Sequence, residues 1–423
     1  MKRRHFMAGT AAIPLVASTS GFASQALAQT APTSPKPQKI VAIISSNFDK
    51  MLEVFGAEWT KKTGINVEIV SQSYDTTYTK IVAAIAGGSP VDVVIVDSIW
   101  TSGFKAAGFI RSLDAMVRPL EKDLVPVAIN QRKVDNQIYS MPITNEAKFL
   151  YFNEDILRKG GYAEPPKTWE ELVEVSRDLQ RKGHAKHGIV WGWRQAEGLV
   201  CDFVLLVHGH MGALQDDKGA STLNQGNVVK ALEFMVDQLK SGIADPASTT
   251  LNDRQVVDVF AGGGIPFMLN WSFALSASND PRSSKVAGHI KVGLIPGFKS
   301  TGVVSTSVTG GSGFAVTTTS KSPDWAWDMI QYATDRQRQI ELQQIRSNMP
   351  VWRALYDDPT IKASFPYVKD MERQFEYATW RPNLPNYTQF SGIIQVAIHK
   401  ALLGEKTPQQ ALNDAAKEVA ALR

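Results

Sequence analysis

The chain has 423 residues, and 43% of them are hydrophobic, which is enough for two or three domains with cores of their own. Its 45 Lys and Arg residues nearly balance its 41 Asp and Glu residues, and the basic excess falls largely within the first 28 positions. The remainder is almost neutral, so the composition excludes a basic nucleic-acid-binding tail. The single cysteine, Cys201, excludes an internal disulfide.

The N-terminal segment has the pattern of an export signal. Basic residues at positions 2–4 precede an apolar run of small residues, and Ala-Leu-Ala at 26–28 has the form of a cleavage site. The arginine pair before Phe6 favours the twin-arginine route, with an ordinary Sec signal as the alternative. Residues 29–38 are predicted to form an extended, solvated, Pro-rich tether. We expect a soluble periplasmic protein, without a lipid anchor because no cysteine follows the cleavage site.

Predicted strands and helices alternate in the first third of the chain. They are strand 39–44, helix 48–59, strand 65–70, helix 78–86 and strand 91–96. This order predicts a parallel sheet covered by helices, in which ligands bind beyond the carboxyl ends of the strands. Ser46 and Asn47 follow the first strand and Asp97 follows the third, so these side chains are candidate ligand contacts. For Asn47 and Asp97 the alternative role is capping of the next helix.

A second set of elements continues the alternation after residue 142. It comprises helices 169–182, 228–241 and 253–261 and strands 189–193 and 265–269. Thr168 is the predicted N-cap of the first of these helices, with Glu171 completing a capping box. The segments 142–146 and 291–297 are interpreted as crossings between two lobes. The predicted fold class is therefore α/β.

The segment 142–172, PITNEAKFLYFNEDILRKGGYAEPPKTWEEL, closely resembles the lobe-crossing segment of extracellular solute-binding proteins of sugar ABC importers, of the family-1, maltose/trehalose-binding type. The resemblance covers essentially the whole chain after the signal. Its other segments, in chain order, are WTKKTGINVEIV, SPVDVVIVDSIW, GGGIPFMLNWSFAL, GGSGFAV and TPQQALNDAAKEV.

The resemblance implies a two-lobed periplasmic binding protein fold (type II, maltose-binding-like). Each lobe is then a sheet covered by helices, and crossing hinge strands join the lobes. The implied boundaries are 38–142 with 295–345 for lobe 1, 146–290 with 350–423 for lobe 2, and hinges near 142–146, 291–297 and 346–350.

The resemblance also implies a ligand site in the cleft between the lobes. In the family, the residue at the position of Glu146 contacts sugar hydroxyls, and the position of Trp271 supplies an aromatic platform. Asp97 and the residues after the first strand contribute from lobe 1, and an Arg or aromatic residue returns to the cleft near Arg381. Alternatives from the residues alone are a hinge salt bridge of Glu146 with Lys148 and burial of Trp271 in a core.

Sugar chemistry adds further candidates. A sugar presents hydroxyl groups and apolar C–H faces, so its site needs carboxylates, amides and Arg for hydrogen bonds and aromatic rings for stacking. Trp193 could also be a core residue, since it shares one strand face with Trp191. Glycine lets the backbone approach a ligand closely. The candidates chosen on these grounds are Asn145, Trp100, Trp193, Glu197, Tyr74 and Gly311.

The predicted function is the substrate-binding component of an ABC importer. It binds a mono- or oligosaccharide as a monomer and delivers it to a membrane permease with its ATPase. Alternatives on the same fold are a glycerol-phosphate or polyol binder and a polyamine binder, and a different class is a cleft hydrolase using Asp97 and Glu146. No catalytic or phosphate-cradle motif is present, so no enzymatic activity, cofactor or metal is expected.

Overall fold

The computed structural model describes residues 32–422. The predicted export signal and residues 29–31 of the predicted tether lie outside this range. Residues 32–38 form neither helix nor strand. The backbone N–H groups of Thr33 and Ser34 both donate to the Asp324 carboxylate, at 2.7 Å. Asp324 lies in the first turn of the helix Pro323–Thr334. Because its carboxylate binds the tether amides, this part of the tether packs on the protein and is not fully solvated.

The strands of the described residues are numbered in chain order. They are β1 (Lys39–Ser45), β2 (Asn66–Gln72), β3 (Val93–Asp97), β4 (Lys133–Val134), β5 (Gln137–Ile138), β6 (Met141–Pro142), β7 (Glu146–Ala147), β8 (Phe149–Asn153), β9 (Ile189–Val190), β10 (Phe267–Asn270), β11 (Ile290–Gly293), β12 (Ser307–Gly310), β13 (Ser312–Val316) and β14 (Ala378–Thr379).

The α-helices of the same range are numbered likewise. They are α1 (Asp49–Thr63), α2 (Tyr74–Ala86), α3 (Thr101–Ala106), α4 (Asp114–Val117), α5 (Pro126–Asn130), α6 (Glu154–Gly160), α7 (Trp169–Arg181), α8 (Glu197–Gly209), α9 (Gly226–Lys240), α10 (Asp253–Ala261), α11 (Ala274–Ser278), α12 (Pro323–Thr334), α13 (Arg336–Arg346), α14 (Pro359–Ser364), α15 (Val368–Gln374), α16 (Tyr387–Leu402) and α17 (Pro408–Ala420).

A five-stranded sheet of order β2-β1-β3-β13-β6 forms the first lobe. β1 pairs in parallel with β2 and β3, as predicted, while β13 and β6 join antiparallel. Residues 40–45 of β1 are all buried, because helices cover both faces of a continuous apolar strand. Helix α1 turns its apolar side, including Phe55 and Trp59, toward this core.

A four-stranded sheet of order β11-β8-β10-β9 forms the second lobe. Only β9 and β10 are parallel, because β8 runs antiparallel to both of its neighbours. Three indole rings stack in the core beside it. The Trp169 and Trp191 rings lie 5.5 Å apart, and those of Trp191 and Trp193 lie 4.8 Å apart.

Two antiparallel strands run side by side from one lobe to the other. β6 of the first lobe continues through residues 143–145 into β7, and β12 continues through Gly311 into β13. β7 and β12 pair with each other in a small sheet of order β14-β12-β7. The predicted crossing at 142–146 therefore lies beside a second crossing at Gly311.

The segment 291–310 belongs to the second lobe, which differs from the predicted boundary at 295. β11 pairs with β8, and the Phe298 ring packs against Trp169 and Phe234. Pro296 and Gly297 form bridges with Ser305 and Thr168, and a Cβ on Gly297 would overlap the backbone of Val303. We therefore propose that the lobe boundary lies at Gly311.

The chain also returns to the second lobe later than the predicted 346–350. The Trp352 indole still donates to the Thr334 carbonyl at 2.8 Å, and Arg353 donates to the Leu124 carbonyl at 2.8 Å. Both acceptors belong to the first lobe. Helix α15 then packs on β11, so we propose the third crossing between residues 353 and 368.

Candidate functional site

A cavity of about 660 Å³ lies where the two lobes and the crossing strands meet, and we call it the cleft. The first lobe contributes the segments that follow β1, β2 and β3, as expected for the carboxyl ends of parallel strands. The second lobe contributes the starts of α8 and α10 and the turn after β10. Residues 310–312 and the neighbouring Thr144 and Glu146 contribute from the crossings.

Three charged side chains from distant parts of the chain meet at the cleft. Asp97 ends β3, Glu197 opens α8 and Arg381 follows β14. The Arg381 Nη1 donates to Glu197 Oε1 at 2.9 Å, and its Nη2 lies 3.5 Å from Asp97 Oδ1. The side chains are only 3% (Arg381), 11% (Asp97) and 12% (Glu197) exposed. Arg381 therefore joins a carboxylate of each lobe through a nearly buried ion pair.

Hydroxyl groups complete the hydrogen bonding of these carboxylates. The Tyr74 hydroxyl donates to Asp97 Oδ2 at 3.0 Å, and the hydroxyls of Tyr387 and Ser391 donate to Glu197 at 2.6 and 2.5 Å. Burial, reinforced by the nearby carboxylates, raises the pKa of both tyrosines, which keeps them as donors. Burial alone would lower the pKa of the Arg381 guanidinium, but the surrounding acidic groups raise it, so it stays charged.

Glu146 lies on β7 at the crossing between the lobes. Its Oε2 accepts from the Ser272 hydroxyl at 2.6 Å, and its Oε1 accepts from the Asn348 amide. Burial raises the pKa of this carboxyl, although the hydrogen bonds and the charge of Arg346 oppose the shift. The alternative salt bridge with Lys148 is not formed, because Lys148 pairs with Asp202 and Asp253.

Trp271 lies just past β10 and its ring lines the cleft. Its Nε1 donates at 2.9 Å to Oδ2 of Asp253, the first residue of α10. The ring edge lies against Gly310, where a Cβ would come within 2.9 Å of Trp271 Cζ3. The ring is half-buried, so it is held at two edges while part of its surface faces the cleft and can stack on an apolar ligand face.

Most of the predicted site residues meet in the cleft. The structure places there Ser46, Asn47, Tyr74, Asp97, Glu146, Glu197, Trp271, Gly311 and Arg381. The N-cap before the Ser98–Trp100 turn is Asp97, whose Oδ1 accepts from the Ile99 N–H, so this residue also has its alternative, capping role.

Trp193 does not line the cleft, contrary to the prediction. It is fully buried and stacks on Trp191 in the core of the second lobe. The alternation Trp-Gly-Trp correctly places both indoles on one face of an extended segment. That face points into the lobe, where an aromatic cluster buries more apolar surface than a cleft wall allows.

Trp100 and Asn145 also lie outside the cleft. Trp100 stacks on Tyr74, with ring centroids 5.5 Å apart, and borders an adjoining cavity of about 390 Å³ that shares Tyr74 and Glu197 with the cleft. Asn145 is fully buried in the crossing, where its amide donates to the Tyr356 hydroxyl at 2.9 Å. Its side chain thus stabilises the crossing, while its neighbours Thr144 and Glu146 face the cleft.

Several cleft residues were not predicted from the sequence. Asp253 follows the N-cap Asn252, so its sequence context indicated only a helix start. Arg346 ends α13, and its guanidinium lies 4.4 Å from the centroid of the Phe48 ring. The polar residues of the cleft in this group include Arg194, Asn252, Asp253, Arg254, Arg346 and Asn348.

The charged side chains of the cleft neutralise one another. Each of its carboxylates has a basic side chain as a partner or near neighbour. The pairs are Asp75 with Arg194 (2.6 Å), Asp97 and Glu197 with Arg381, Asp253 with Lys148 (3.1 Å), and Glu146 with the nearby Arg346. A ligand therefore meets a polar surface without a large excess of either charge.

Two further findings concern the described range as a whole. Across residues 32–422, no three His, Cys, Asp or Glu side chains are grouped so that they could hold a metal ion. None of the helices in that range combines the length and the apolar character that crossing a bilayer requires.

Residues 44–340 match the family model described as bacterial extracellular solute-binding protein. A probable ABC transporter-binding protein of Deinococcus radiodurans is 29% identical, over 90% of this chain and 92% of its own length. The maltodextrin-binding protein of Bacillus subtilis is 23% identical, over 91% of this chain and 90% of its own.

Solved structures agree with this assignment. A structure described as maltose-bound MalE3 of T. maritima has a TM-score of 0.85 and 28% identity, and it covers 91% of this chain and 100% of its own. An ABC transporter solute-binding protein of Agrobacterium radiobacter K84, in complex with ribitol, has a TM-score of 0.83 at 23% identity and covers 92% of this chain and 100% of its own. The two-lobed, maltose-binding-like fold is thus confirmed, and the chain belongs to the bacterial extracellular solute-binding proteins.

Proposed function

We propose that this protein is the periplasmic substrate-binding component of an ABC importer and that it binds a neutral mono- or oligosaccharide in the cleft. It works as a monomer, catalyses no reaction and delivers its ligand to a membrane permease driven by a separate ATPase. The family and the transporter-binding relative support the transport role. The twin-arginine-like sequence of residues 1–28 supports export to the periplasm.

The observation that carries the choice of ligand is the pairing of charges in the cleft. A polyamine needs carboxylates without cations, and a phosphate ester needs Arg or Lys side chains without carboxylates. Here each of the five carboxylates lies beside Arg194, Arg346, Arg381 or Lys148, and Arg381 is shared by Asp97 and Glu197. Arg254 makes no ion pair within residues 32–422, but it is exposed, where salt screens its attraction for an anion.

Polar side chains of both lobes line the cleft and fit hydroxyl groups, which both donate and accept. Ser46 and Asn47 of the first lobe and Asn252 of the second add hydroxyl and amide groups to the charged residues. A sugar hydroxyl can accept from one such group and donate to another at the same time. This lining therefore supports a polyhydroxylated ligand.

The aromatic side chain favours a ring sugar over an open-chain polyol. Trp271 presents a flat apolar surface to the cleft, and a pyranose ring has a matching C–H face while a linear polyol has none. A cleft of about 660 Å³ also lies within the usual range of small-molecule sites, roughly 300–1,000 Å³. The relatives span maltose, maltodextrin and ribitol binders and an sn-glycerol-3-phosphate-binding protein, so the polyol and phosphate ligands are the rivals to test.

The hydrolase alternative finds little support in the geometry. Asp97 is engaged by Arg381, Tyr74 and Ser98, and Glu146 is held by Ser272 and Asn348. A general acid or nucleophile must instead be free to reach the reacting bond. Carboxylates held in this way suit recognition.

Binding couples to the relative position of the lobes. Ligand contacts from Asp97 in the first lobe and Glu197 and Trp271 in the second can form together only when the lobes are close. A ligand that makes these contacts stabilises the closed arrangement by its differential affinity for the two states. The closed form is the species that docks on the permease.

Calorimetric titration with neutral and charged compounds tests the proposal. The panel is glucose, maltose, trehalose, ribitol, mannitol, glycerol 3-phosphate and spermidine, each at low and high salt. We expect a sugar to bind with a Kd of about 1 μM, or about −8 kcal/mol. Its affinity should change less than about twofold with salt, because no net charge is exchanged. The ligand should be recovered chemically unchanged.

Two results of this titration would contradict the proposal. If spermidine or glycerol 3-phosphate binds more tightly than every sugar, and weakens steeply with salt, then the site is built for charge and the carbohydrate proposal is wrong. Consumption of a sugar during the titration would show that the cleft is catalytic.

A further inference from the structure

A buried lysine lies directly behind the aromatic wall of the cleft. Lys148 sits between β7 and β8 and is fully buried. Its Nζ donates to Asp202 Oδ1 at 2.6 Å and to Asp253 Oδ1 at 3.1 Å. The same nitrogen lies 5.4 Å from the centroid of the Trp271 ring. One ammonium group thus contacts two carboxylates and an aromatic ring.

The ring and the carboxylate separate this ammonium from the cleft. Trp271 and Asp253 line the cleft, whereas Lys148 and Asp202 do not. Asp253 links the two layers, because one oxygen accepts from Lys148 and the other accepts from the Trp271 indole. The side chain of Asp253 is 21% exposed, while those of Lys148 and Asp202 are 0% exposed.

The space around Asp253 leaves it little freedom to move. A Cβ on Gly192 would lie 2.7 Å from its Oδ1, and a Cβ on Gly198 would lie 2.9 Å from its Oδ2. Burial alone would lower the pKa of Lys148, but the two carboxylates reverse the shift and raise it, so the ammonium stays protonated. A permanent positive charge is therefore fixed behind the ring and beside the carboxylate.

We infer that Lys148 is a specificity-determining positioning residue, which makes the cleft select uncharged ligands over cationic ones. It does so by neutralising Asp253 and by occupying the hidden side of Trp271. This inference rests on the proposed function, since it concerns a ligand bound in the same cleft.

Two physical effects lead to this selection. An aromatic face attracts cations through its negative quadrupole, and a carboxylate beside the ring would strengthen that attraction. A cation already placed at the ring and paired with the carboxylate opposes both effects. A neutral sugar is not repelled, because its C–H face stacks on the ring and its hydroxyls donate to the remaining lone pairs of Asp253.

The test compares two variants that differ only at Lys148. Asp202→Asn keeps Lys148 with Asp253 and serves as the matched control. The double variant Lys148→Met, Asp202→Asn removes the ammonium without leaving a buried unpaired carboxylate, and Met nearly conserves the volume. Circular dichroism and thermal melts establish that both are folded. Calorimetry then gives Kd for the best neutral sugar of the panel and for spermidine.

We expect the control to keep the selectivity of the wild type. In the double variant the spermidine Kd should fall by about tenfold, the change that ~1.4 kcal/mol produces, while the sugar Kd should change much less. A purely structural role for Lys148 would weaken both ligands alike. An unchanged ratio of the two Kd values in a folded double variant overturns the inference.

A second variant removes the carboxylate of the Lys148–Asp253 pair instead of the ammonium. This test does not depend on the folding of the double variant. Asp253→Asn leaves the Lys148 charge without its cleft-side partner, so glycerol 3-phosphate should gain about tenfold in affinity relative to the sugar. No gain for this anion also overturns the inference. If the wild-type protein binds no sugar at all, the proposed function fails, which is a separate result.

Discussion

At the scale of single residues, Glu146 combines burial with a site for a ligand. Burial raises the pKa of its carboxyl, and the Ser272 and Asn348 side chains are arranged to hold the carboxylate. The protein thus accepts an unfavourable buried charge at the crossing between its lobes. Sites kept at such a cost to stability are typical of binding and catalysis.

Replacing Glu146 with Gln separates the two roles. The Asn348 Oδ1 atom has no partner within the described residues and can accept from the new amide after a flip, so packing is kept. Ligand affinity should fall by about tenfold or more, because hydrogen bonds to a charged group contribute ~1.5–3 kcal/mol. Calorimetry measures this loss, with Ser272→Ala as the control for a change in the carboxylate's support alone.

The same variant has a distinct dependence on pH. The folded pKa of Glu146 is raised, so its contribution to stability is present below the unfolded pKa of about 4.3 and is lost as pH rises through the folded pKa. Glu146→Gln lacks this loss. Its free energy of unfolding relative to wild type should increase from about pH 4 upward and then level off, as measured by urea denaturation. A difference that stays constant across this range would contradict the burial argument.

At the scale of secondary structure, local sequence predicted most elements, and tertiary contacts decided the rest. The Thr168 hydroxyl accepts from the Glu171 N–H at 3.2 Å, as expected of an N-cap. The Glu171 carboxylate, however, accepts from Lys167 N–H and not from Thr168, so the predicted capping box is only half formed. At Thr407 both hydrogen bonds of a capping box are present.

Local sequence patterns do not show whether a side chain points into the core or into the cleft. The alternation of Trp191 and Trp193 gives their common face, but nothing in it tells whether that face meets the cleft or the core. Arg346 and Asp253 reach the cleft because α13 and α10 end and begin there. Such residues become visible only when the packing of whole elements is known.

The β12–β13 crossing contains a glycine in a conformation that other residues rarely adopt. Gly311 has φ +131°, and a Cβ there would lie 2.6 Å from the Thr144 carbonyl of the neighbouring crossing strand. Gly311→Ala should therefore lower the free energy of unfolding by about 2 kcal/mol or more, through backbone strain and this clash. Denaturant titration measures the change.

Gly392 provides the matched glycine for comparison. It lies within α16, and no atom lies within 4 Å of a Cβ placed there. Gly392→Ala should raise stability by about 0.5–1 kcal/mol, because alanine favours the helix. Equal effects at the two positions would mean that the crossing does not need the glycine conformation.

At the scale of the whole molecule, the sequence indicated two lobes, and we propose different places for two of the predicted crossings. Glycine and proline at 293–297 suggested a hinge, yet this segment pairs within the second lobe, because β11 pairs with β8 and Gly297 forms a bridge with Thr168. Glycine and proline interrupt a strand both at a hinge and within a lobe, so they do not distinguish the two. Only the pairing of β12 with β7, distant in sequence, shows where the chain crosses.

Arg381 joins the lobes through a nearly buried ion pair. Its side chain is 3% exposed and contacts Asp97 of the first lobe and Glu197 of the second. Arg381→Met leaves these two carboxylates close together without their shared cation. We expect a loss of about 3 kcal/mol in the free energy of unfolding, as for other buried pairs that lose one partner. The radius of gyration without ligand, measured by small-angle X-ray scattering, should increase because the lobes repel.

Arg194 is the matched control for Arg381. It also forms an ion pair between the lobes, but this pair is exposed to solvent. Its pair with Asp75 has a similar distance, 2.6 Å, but the side chains are 36% and 51% exposed. Arg194→Met should therefore cost less than about 1 kcal/mol and leave the radius of gyration unchanged. If both variants expand the protein equally, burial does not distinguish the two bridges, and Arg381 has no special part in holding the lobes together.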